Sequence, residues 1–180
     1  MVYRIYVEKR PEYAVEARGI LSEIRHLLRI KSVTGLRLLN RYDVEGISEE
    51  LFSQCCGTVF SEPQLDFTYT AVPEGADAVF ATEFLPGQFD QRAASAAECI
   101  QLISQGERPA VRSAVVYYLE GDLTEDDVEA VKRYVINPVE AREASLAPRD
   151  TLAMAFERPA DVEVIEGFTA MDDDALAAFI

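Results

Sequence analysis

The stretch LPGQFDQRAASAAECIQLI, residues 85–103, has the same outline as the earlier stretch RPEYAVEARGILSEIRHLL, residues 10–28. In both stretches a proline follows an apolar segment, and apolar residues then recur at the spacing of an amphipathic helix. We call the separation that places position 10 on position 85 the repeat offset. One arrangement of apolar and polar residues occurs twice at this offset, which indicates an internal repeat.

Identical residues at the same separation extend the repeat beyond these two helices. The identical pairs are Pro11 and Pro86, Arg37 and Arg112, Tyr42 and Tyr117, Glu45 and Glu120, Gly46 and Gly121, and Pro63 and Pro138. A single alignment register thus covers both halves of the chain.

Four segments enriched in β-branched and aromatic residues are predicted to be strands, two in each half. The first strands are 2–8 and 77–85, and the second strands are 35–45 and 112–120. A further short strand is predicted around 65–69.

Each second strand is followed by a second helix, which begins at Ser48 in one half and at Thr124 in the other. A hydroxyl residue followed by acids is typical of a helix start, because the hydroxyl accepts backbone N–H groups and the acids favour the positive end of the helix dipole. Duplicated β-α-β-α units of this kind predict an α+β fold, a pseudo-dimer related to ferredoxin-like folds.

The domain boundaries follow from the repeat. We assign residues 1–144 to the duplicated α+β domain, with repeat 1 at about 1–71 and repeat 2 at about 76–144. The connection VPEG, residues 72–75, is the predicted seam between the two copies.

Residues 145–180 are predicted to be a linker and the start of a helical linker domain. Two prolines and no clear periodicity characterise 145–160, and a short strand is expected at 161–166. Acidic residues lead an apolar run in 172–180, as in a capped helix. Because no C-cap follows that incomplete helical segment, we expect the sequence to be a piece of a longer chain.

The composition is that of a folded protein, with 49% hydrophobic and 27% charged residues. A formal net charge of −15 argues against a nucleic-acid partner, since affinity for DNA and RNA rests largely on cations that neutralise phosphates. No apolar run approaches the roughly 18 residues of a membrane span, and the N-terminus lacks a secretory signal core. We therefore expect a cytoplasmic protein with no membrane partner.

Three cysteines, Cys55, Cys56 and Cys99, and one histidine, His26, are the candidates for nucleophilic or zinc chemistry. A disulfide between adjacent cysteines would be strained, a nucleophile needs a positioned base, and the spacing differs from that of paired zinc ligands. We expect reduced, mostly buried thiols and a solvated or capping histidine.

Two acidic clusters, 120–129 and 172–174, resemble cation sites at first sight. The first lacks the spacing of a calcium loop, and helix capping accounts for the position of both. No carboxylate pair suited to acid–base chemistry and no glycine-rich phosphate loop is present. The sequence thus predicts no catalytic, cofactor-binding or metal-binding residue.

The segment GQFDQR, residues 87–92, is the exception. It places Gln88, Asp90, Gln91 and Arg92 around the first turn of the second repeat's first helix. Such groups can contact an anion or a neighbouring domain, whereas helix capping by Gln88 and Asp90 explains part of the pattern. These four are the candidate domain-contact residues, with capping as the alternative.

Motifs in both halves resemble the N-terminal region of the long form of phosphoribosylformylglycinamidine synthase, also called formylglycinamide ribonucleotide amidotransferase. They are VYRIYVEKRP, LRLLNRYDVEGIS, FSEPQLD and FLPGQFDQRAASAAECIQL, and GFTAMDDDALAAFI resembles the start of the family's small helical linker domain. In this family the long enzyme carries a fused pair of units that other organisms have as a separate, dimeric small subunit.

The resemblance implies a noncatalytic assembly domain that bridges the synthetase and glutaminase domains of an ATP- and glutamine-dependent ligase in de novo purine biosynthesis. ATP and Mg²⁺ are implied for the full-length enzyme, whose catalytic motifs lie downstream, so residues 1–180 alone are expected to be inactive. The implied partners are those downstream domains, and self-association through the surface they cover is a further expectation. The alternative is a ferredoxin-like regulatory module that binds a small effector, and the predicted architecture is the observation that supports it.

Overall fold

An antiparallel sheet of six strands forms the centre of the fold in the computed structural model, which describes residues 1–153 and 168–179. The elements in chain order are β1 (Val2–Lys9), α1 (Val15–His26), β2 (Val33–Glu45), α2 (Glu49–Cys56), β3 (Asp66–Tyr69), β4 (Ala78–Phe84), α3 (Gln91–Ser104), β5 (Ala110–Gly121), α4 (Glu125–Val135), β6 (Ala141–Ala144), a short 3-10 helix (Phe168–Ala170) and α5 (Asp173–Phe179). The strand order across the sheet is β3-β1-β2-β5-β4-β6, so the architecture is α+β.

The strands and helices predicted for residues 1–135 are present with shifted ends, and the strand expected around 65–69 is β3. Strand β6 has no counterpart among the predicted elements, because its sequence AREA lacks β-branched and aromatic residues. The strand predicted at 161–166 lies outside the described residues. Helix α5 begins as predicted, with the Asp172 carboxylate accepting from the Ala175 N–H at 2.9 Å.

Side chains cap α2 and α4 at their N-termini. Ser48 Oγ accepts from the Leu51 N–H at 3.2 Å, and Thr124 and Asp127 form a reciprocal capping box. Helix α1 differs, because its N-cap residue Ala14 has no side-chain acceptor. The predicted helix starts at Ser48 and Thr124 are confirmed.

The sheet has the same pairing register on both sides of its centre once the repeat offset is added to every position. Tyr6 pairs with Tyr69 between β1 and β3, and their counterparts Ala81 and Ala144 pair in the same way between β4 and β6. The central strands β2 and β5 join the two sides, and there Asn40 lies opposite Val115, its own counterpart in the repeat.

Helices α1 to α4 lie on one face of the sheet, where two hydrophobic clusters form. In the first, Ile24 of α1 packs with Phe80 of β4 and Val131 of α4. In the second, Ile100 of α3 packs with Cys55 of α2. Each cluster takes helices from both halves of the chain, so the two halves share their cores.

The opposite face of the sheet is covered by loops and by residues 145–153, which we call the strap. Leu39 and Val116 are fully buried there, and Leu146 of the strap packs against their cluster. The strap contains no helix or strand, as expected of a linker, yet Leu152 within it is only 4% exposed. The strap is therefore part of the folded unit.

Some apolar residues within the two stretches predicted to be amphipathic helices, 10–28 and 85–103, are exposed. Leu27 is 65% exposed, because α1 ends at His26 and Leu27 is its C-cap residue. Leu102 is 77% exposed, because the buried stripe of α3 follows residues 93, 96, 97 and 100 and position 102 lies off it. The buried stripes of α1 and α3 are thus narrower than the apolar pattern of the two stretches suggests.

Within the described residues, no helix has the length and apolar character needed to cross a membrane.

Candidate functional site

Asp90 fixes the segment 87–92 to the sheet. One of its carboxylate oxygens accepts from the Ala93 N–H and from the Ser113 hydroxyl, and the other accepts from the Ser113 N–H, all at 2.9 Å. The protein itself therefore uses both oxygens of Asp90, which caps α3 and ties it to β5. Of the four candidate domain-contact residues, Asp90 is the one with capping as its evident role.

The other three candidates are exposed at the start of α3. Gln88 Nε2 donates to the Val139 carbonyl at 3.3 Å, which connects the segment to the loop before β6. Gln91 and Arg92 make no side-chain hydrogen bond or ion pair with residues that the structure describes, and both line a groove on the helix side of the sheet.

The central groove consists of two clefts that meet at Arg92 and Val115. The α3 cleft, about 670 Å³, includes Phe84, Phe89, Gln91 and Cys99 in its lining. The α1 cleft, about 560 Å³, includes Lys9, Tyr13, Arg18 and Asn40 in its lining. Because the groove crosses the β2–β5 pair, both halves of the chain contribute to it.

The two clefts occupy equivalent positions in the two halves, since residues of the α1 cleft have counterparts in the α3 cleft at the repeat offset. These pairs are Lys9 and Phe84, Ala14 and Phe89, Glu16 and Gln91, Ala17 and Arg92, Leu38 and Ser113, and Asn40 and Val115. Every pair differs in residue type, so the clefts share a position and differ in chemistry.

The α1 cleft has more charged side chains than the α3 cleft. The charged side chains that face the α1 cleft are the cations Lys9, Arg18 and Arg92 and the anion Glu16, whereas Arg37 and Glu8 border the cleft but have their side chains on the opposite face of the sheet. In the α3 cleft, Arg92 is the single charged lining residue. The excess of cations over anions, in a chain with a formal net charge of −15, distinguishes the α1 cleft from the α3 cleft.

A charged triad connects three strands on the helix-free face of the sheet, where Arg37 lies over Tyr118. Arg37 of β2 donates to both carboxylate oxygens of Glu8 on β1, at 2.7 and 2.6 Å, and the Tyr69 hydroxyl of β3 donates to the same carboxylate at 3.0 Å. Burial and the bond to Glu8 raise the pKa of Tyr69. The bond to Glu8 raises the pKa of Arg37, so the guanidinium stays charged. The Glu8 carboxylate thus occupies the two neighbouring nitrogens of Arg37 that could otherwise bind an external anion side by side.

A second network lies on the helix-free face, where Asp43 binds two arginines. Its carboxylate accepts from Arg4 Nε and lies 3.2 Å from Arg41 Nε, and the side chains of Asp43 and Arg41 are each 1% exposed. Burial lowers the pKa of Arg41. Burial also acts to lower the pKa of Arg4, but the hydrogen bond to Asp43 and its charge outweigh that effect and raise it.

The strap is held by these arginines. The Ser145 carbonyl accepts from Arg41 Nη1 at 2.7 Å, and the Leu146 carbonyl accepts from Arg4 Nη1 at 2.9 Å. Further along, Arg149 pairs with Glu83 of β4. The strap thus bonds to strands of both halves.

Sequence reasoning missed both networks, although a signal for them is present. Arg37, Arg41 and Asp43 stand at odd positions of β2, and Arg4 and Glu8 at even positions of β1, so each set lies on one face of its strand. Charges that alternate within a predicted strand indicate a face that is not covered by apolar helices.

The cysteines are reduced, but their burial is uneven: Cys55 is buried, Cys56 is half-buried and Cys99 is exposed. The expectation of mostly buried thiols therefore does not hold for Cys99. Burial raises the pKa of Cys55 and of Cys56, which disfavours the reactive thiolate at both. His26 is exposed in the last turn of α1, as the solvated interpretation predicts.

Within the described residues, no cluster of three or more His, Cys, Asp or Glu side chains could hold a metal ion. Comparisons of the chain with protein-family models and with curated proteins gave no match. The functional conclusion therefore rests on the sequence motifs and on the geometry of the fold.

Proposed function

We propose that this chain is a noncatalytic N-terminal assembly domain of phosphoribosylformylglycinamidine synthase, the ATP- and glutamine-dependent ligase of de novo purine biosynthesis. In this proposal the domain bridges the synthetase and glutaminase domains of the same cytoplasmic enzyme. The resemblance of its motifs to the N-terminal region of that family is the starting point, and the geometry of the sheet supports it.

The observation that carries the proposal is the register of the sheet. A fused pair of identical units should pair its strands in one register on both sides of a central axis, with a residue at the axis facing its own counterpart. The shared repeat offset and the Asn40–Val115 pair fit that expectation. We infer that the chain is a duplicated β-α-β-α unit, a pseudo-dimer related to ferredoxin-like folds, over residues 1–144.

The exchange of helices between the halves supports the same inference. Each helix-side cluster contains one helix of each half, as expected when a dimer of small subunits becomes one chain. The remaining residues, 145–180, are in this proposal the linker and the start of the helical linker domain. ATP and Mg²⁺ belong to the downstream domains, and no residue of this chain is assigned to them.

The surface proposed to contact those domains includes the start of α3. Gln88, Gln91 and Arg92 are exposed there beside Phe89, which is 75% exposed. An exposed aromatic side chain with polar neighbours is typical of a protein interface. Self-association of the isolated chain would use the same apolar surface.

Complementation between separate chains tests the proposal. A long-form enzyme that lacks this region is mixed with residues 1–180, and glutamine-dependent ligase activity is measured with ATP and Mg²⁺. We expect activity to return in proportion to the added domain and to saturate. A Phe89→Ser variant should reduce the activity at subsaturating concentrations, whereas Leu102→Ser, an equally exposed change on α3, should not.

Failure would take one of two forms. Absence of complementation by a folded domain would contradict the assembly role. Glutaminase or ATPase activity of residues 1–180 alone would contradict the noncatalytic role.

A second candidate function, a regulatory module that binds a small effector, is favoured by the α1 cleft. Its volume of about 560 Å³ lies within the range of small-molecule sites, and its lining combines apolar and cationic side chains. Calorimetry of the chain with amino acids and purine nucleotides tests this candidate, and saturable micromolar binding would support it.

A further inference from the structure

We propose that the α1 cleft binds a small organic anion, a carboxylate or a phosphate monoester with an apolar body, and that Arg92 is its main ionic contact. This ligand class gives chemical content to the effector-binding candidate. It does not depend on the assembly role, because every residue that lines the cleft belongs to this chain, so binding can be measured without any other domain.

The shape of the cleft suits a molecule the size of a substituted benzene or larger. Its volume is about 560 Å³, and sites for small molecules commonly have roughly 300–1,000 Å³. Leu38 and Val115 provide an apolar surface from the two central strands, and Ala17 of α1 together with the N-cap residue Ala14 provides another. The small alanine side chains leave the space open, whereas Phe89 stands at the position of Ala14 in the other cleft.

The cations of the cleft are not equally available. Arg37 is bound to Glu8 on the opposite face of the sheet, Lys9 pairs with Asp66 at 2.9 Å, and Arg18 donates to backbone carbonyls of the loop before α1. Arg92 has no such partner among the residues that the structure describes. Its planar guanidinium can donate two parallel hydrogen bonds to a carboxylate or phosphate, which is the geometry that such anions prefer. Arg92 is therefore the donor for the anionic group.

Asn40 adds a neutral polar contact on the sheet side of the cleft. It is half-buried, and its side-chain amide makes no hydrogen bond within the described part of the chain. The amide offers two donors and an acceptor, so it can bind a second oxygen of the ligand. The equivalent position of the other half is Val115, which has no polar group, and this difference favours the α1 cleft over the α3 cleft.

Amide NMR titration of the ¹⁵N-labelled chain tests the proposal with three probes of similar size. Phenylacetate and phenyl phosphate carry the two candidate anions, and benzyl alcohol carries none. We expect both anions, or one of them, to give saturable shifts confined to residues 13–18, 38–40 and 91–93. The tighter of the two identifies the anionic group. Benzyl alcohol should bind at least roughly tenfold more weakly, because it lacks the ionic contact.

Two arginine variants separate a specific contact from a general effect of charge. Arg92→Gln should weaken anion binding at least roughly tenfold while the spectrum elsewhere is retained. Arg133→Gln is the matched control, because Arg133 is also exposed on a helix and lies outside both clefts. It should leave the affinity unchanged.

Three results would overturn the proposal: no saturable shift with either anion up to roughly 10 mM, equal affinity for benzyl alcohol, or equal affinity in Arg92→Gln and the unaltered chain. Each differs from a failed complementation experiment, because the readout here is binding by the domain alone.

Discussion

Asn40 faces Val115 across the two central strands, and these two positions are separated by the repeat offset. The amide at one of these positions and the apolar side chain at the other make the centre of the groove asymmetric. The two clefts are thus unlike although their positions correspond.

The shared cores predict that damage in one half destabilises the whole sheet. Ile24 and Ile100 are fully buried in the two helix-side clusters, and truncation of either to alanine should lower the free energy of unfolding by about 2–5 kcal/mol. Urea unfolding should remain a single transition by circular dichroism and by tyrosine fluorescence. Leu102→Ala, in the same helix as Ile100 but exposed, should change stability by less than about 0.5 kcal/mol. Two separate transitions would contradict the shared core.

Asp90 should stabilise the start of α3 more than an ordinary cap does. Asp90→Ala removes the acceptor for the Ala93 N–H and for two donors of Ser113, so we expect a loss of about 1–3 kcal/mol. Asp127→Ala removes an exposed capping box and should cost about 1 kcal/mol. Chemical unfolding of both variants measures the difference, and equal losses would show that the bonds to Ser113 contribute nothing.

Asp43 balances the charges of the buried Arg41 and the half-buried Arg4, so its removal should be strongly destabilising. Asp43→Ala leaves Arg4 and Arg41 without their carboxylate, which should lower the free energy of unfolding by about 3–5 kcal/mol. Glu98→Ala is the control, because Glu98 pairs with Arg108 on the surface and should contribute less than about 1 kcal/mol. Thermal and urea unfolding give both values. A small effect for Asp43 would contradict this balance and would mean that water solvates the two guanidinium groups instead.

Glu83 should contribute stability that acid removes. Burial acts to raise its pKa, but the hydrogen bond from Arg142 and the charge of Arg149 outweigh burial, so the pKa in the folded state lies below the ordinary value of 4.5. A lowered folded-state pKa stabilises the fold above the unfolded pKa, and this contribution disappears as the pH falls through the folded value.

Glu83→Gln should therefore be less stable than the unaltered chain at neutral pH, and the difference should shrink as the pH falls below about 4.5. Urea unfolding across that range measures it. A difference independent of pH would assign the effect of the substitution to packing and not to ionisation.

Much of the fold is predictable because the same sequence pattern occurs twice at the repeat offset, so that two stretches of sequence indicate each kind of element. Glycine turns and hydroxyl caps mark the same boundaries in both halves, and the starts at Ser48 and Thr124 are where the sequence predicts them. Strand β6 is not predictable by composition, since the sequence AREA has no strand-forming side chain. The repeat alone indicates this strand, because β6 follows β3 at the repeat offset.

The candidate site is only partly predictable. The pattern GQFDQR points to the start of α3, but which of its side chains stays free depends on contacts with distant strands. Asp90 is satisfied by Ser113 of β5, and Arg92 shares a cleft with Asn40 of β2. Periodicity carries no information about such contacts, because they depend on which helix packs against which strand of the sheet.

The strap has a mechanical consequence. The strap follows β6, the edge strand of the second half, and its backbone carbonyls accept hydrogen bonds from Arg41 and Arg4 of the first half. Further along the strap, the Leu152 N–H donates to Glu45 at 2.8 Å. Tension applied to the polypeptide after residue 153 would be spread over several bonds to different strands before any single strand could peel away. The sheet is thus a mechanically stable attachment point for the polypeptide that follows the strap.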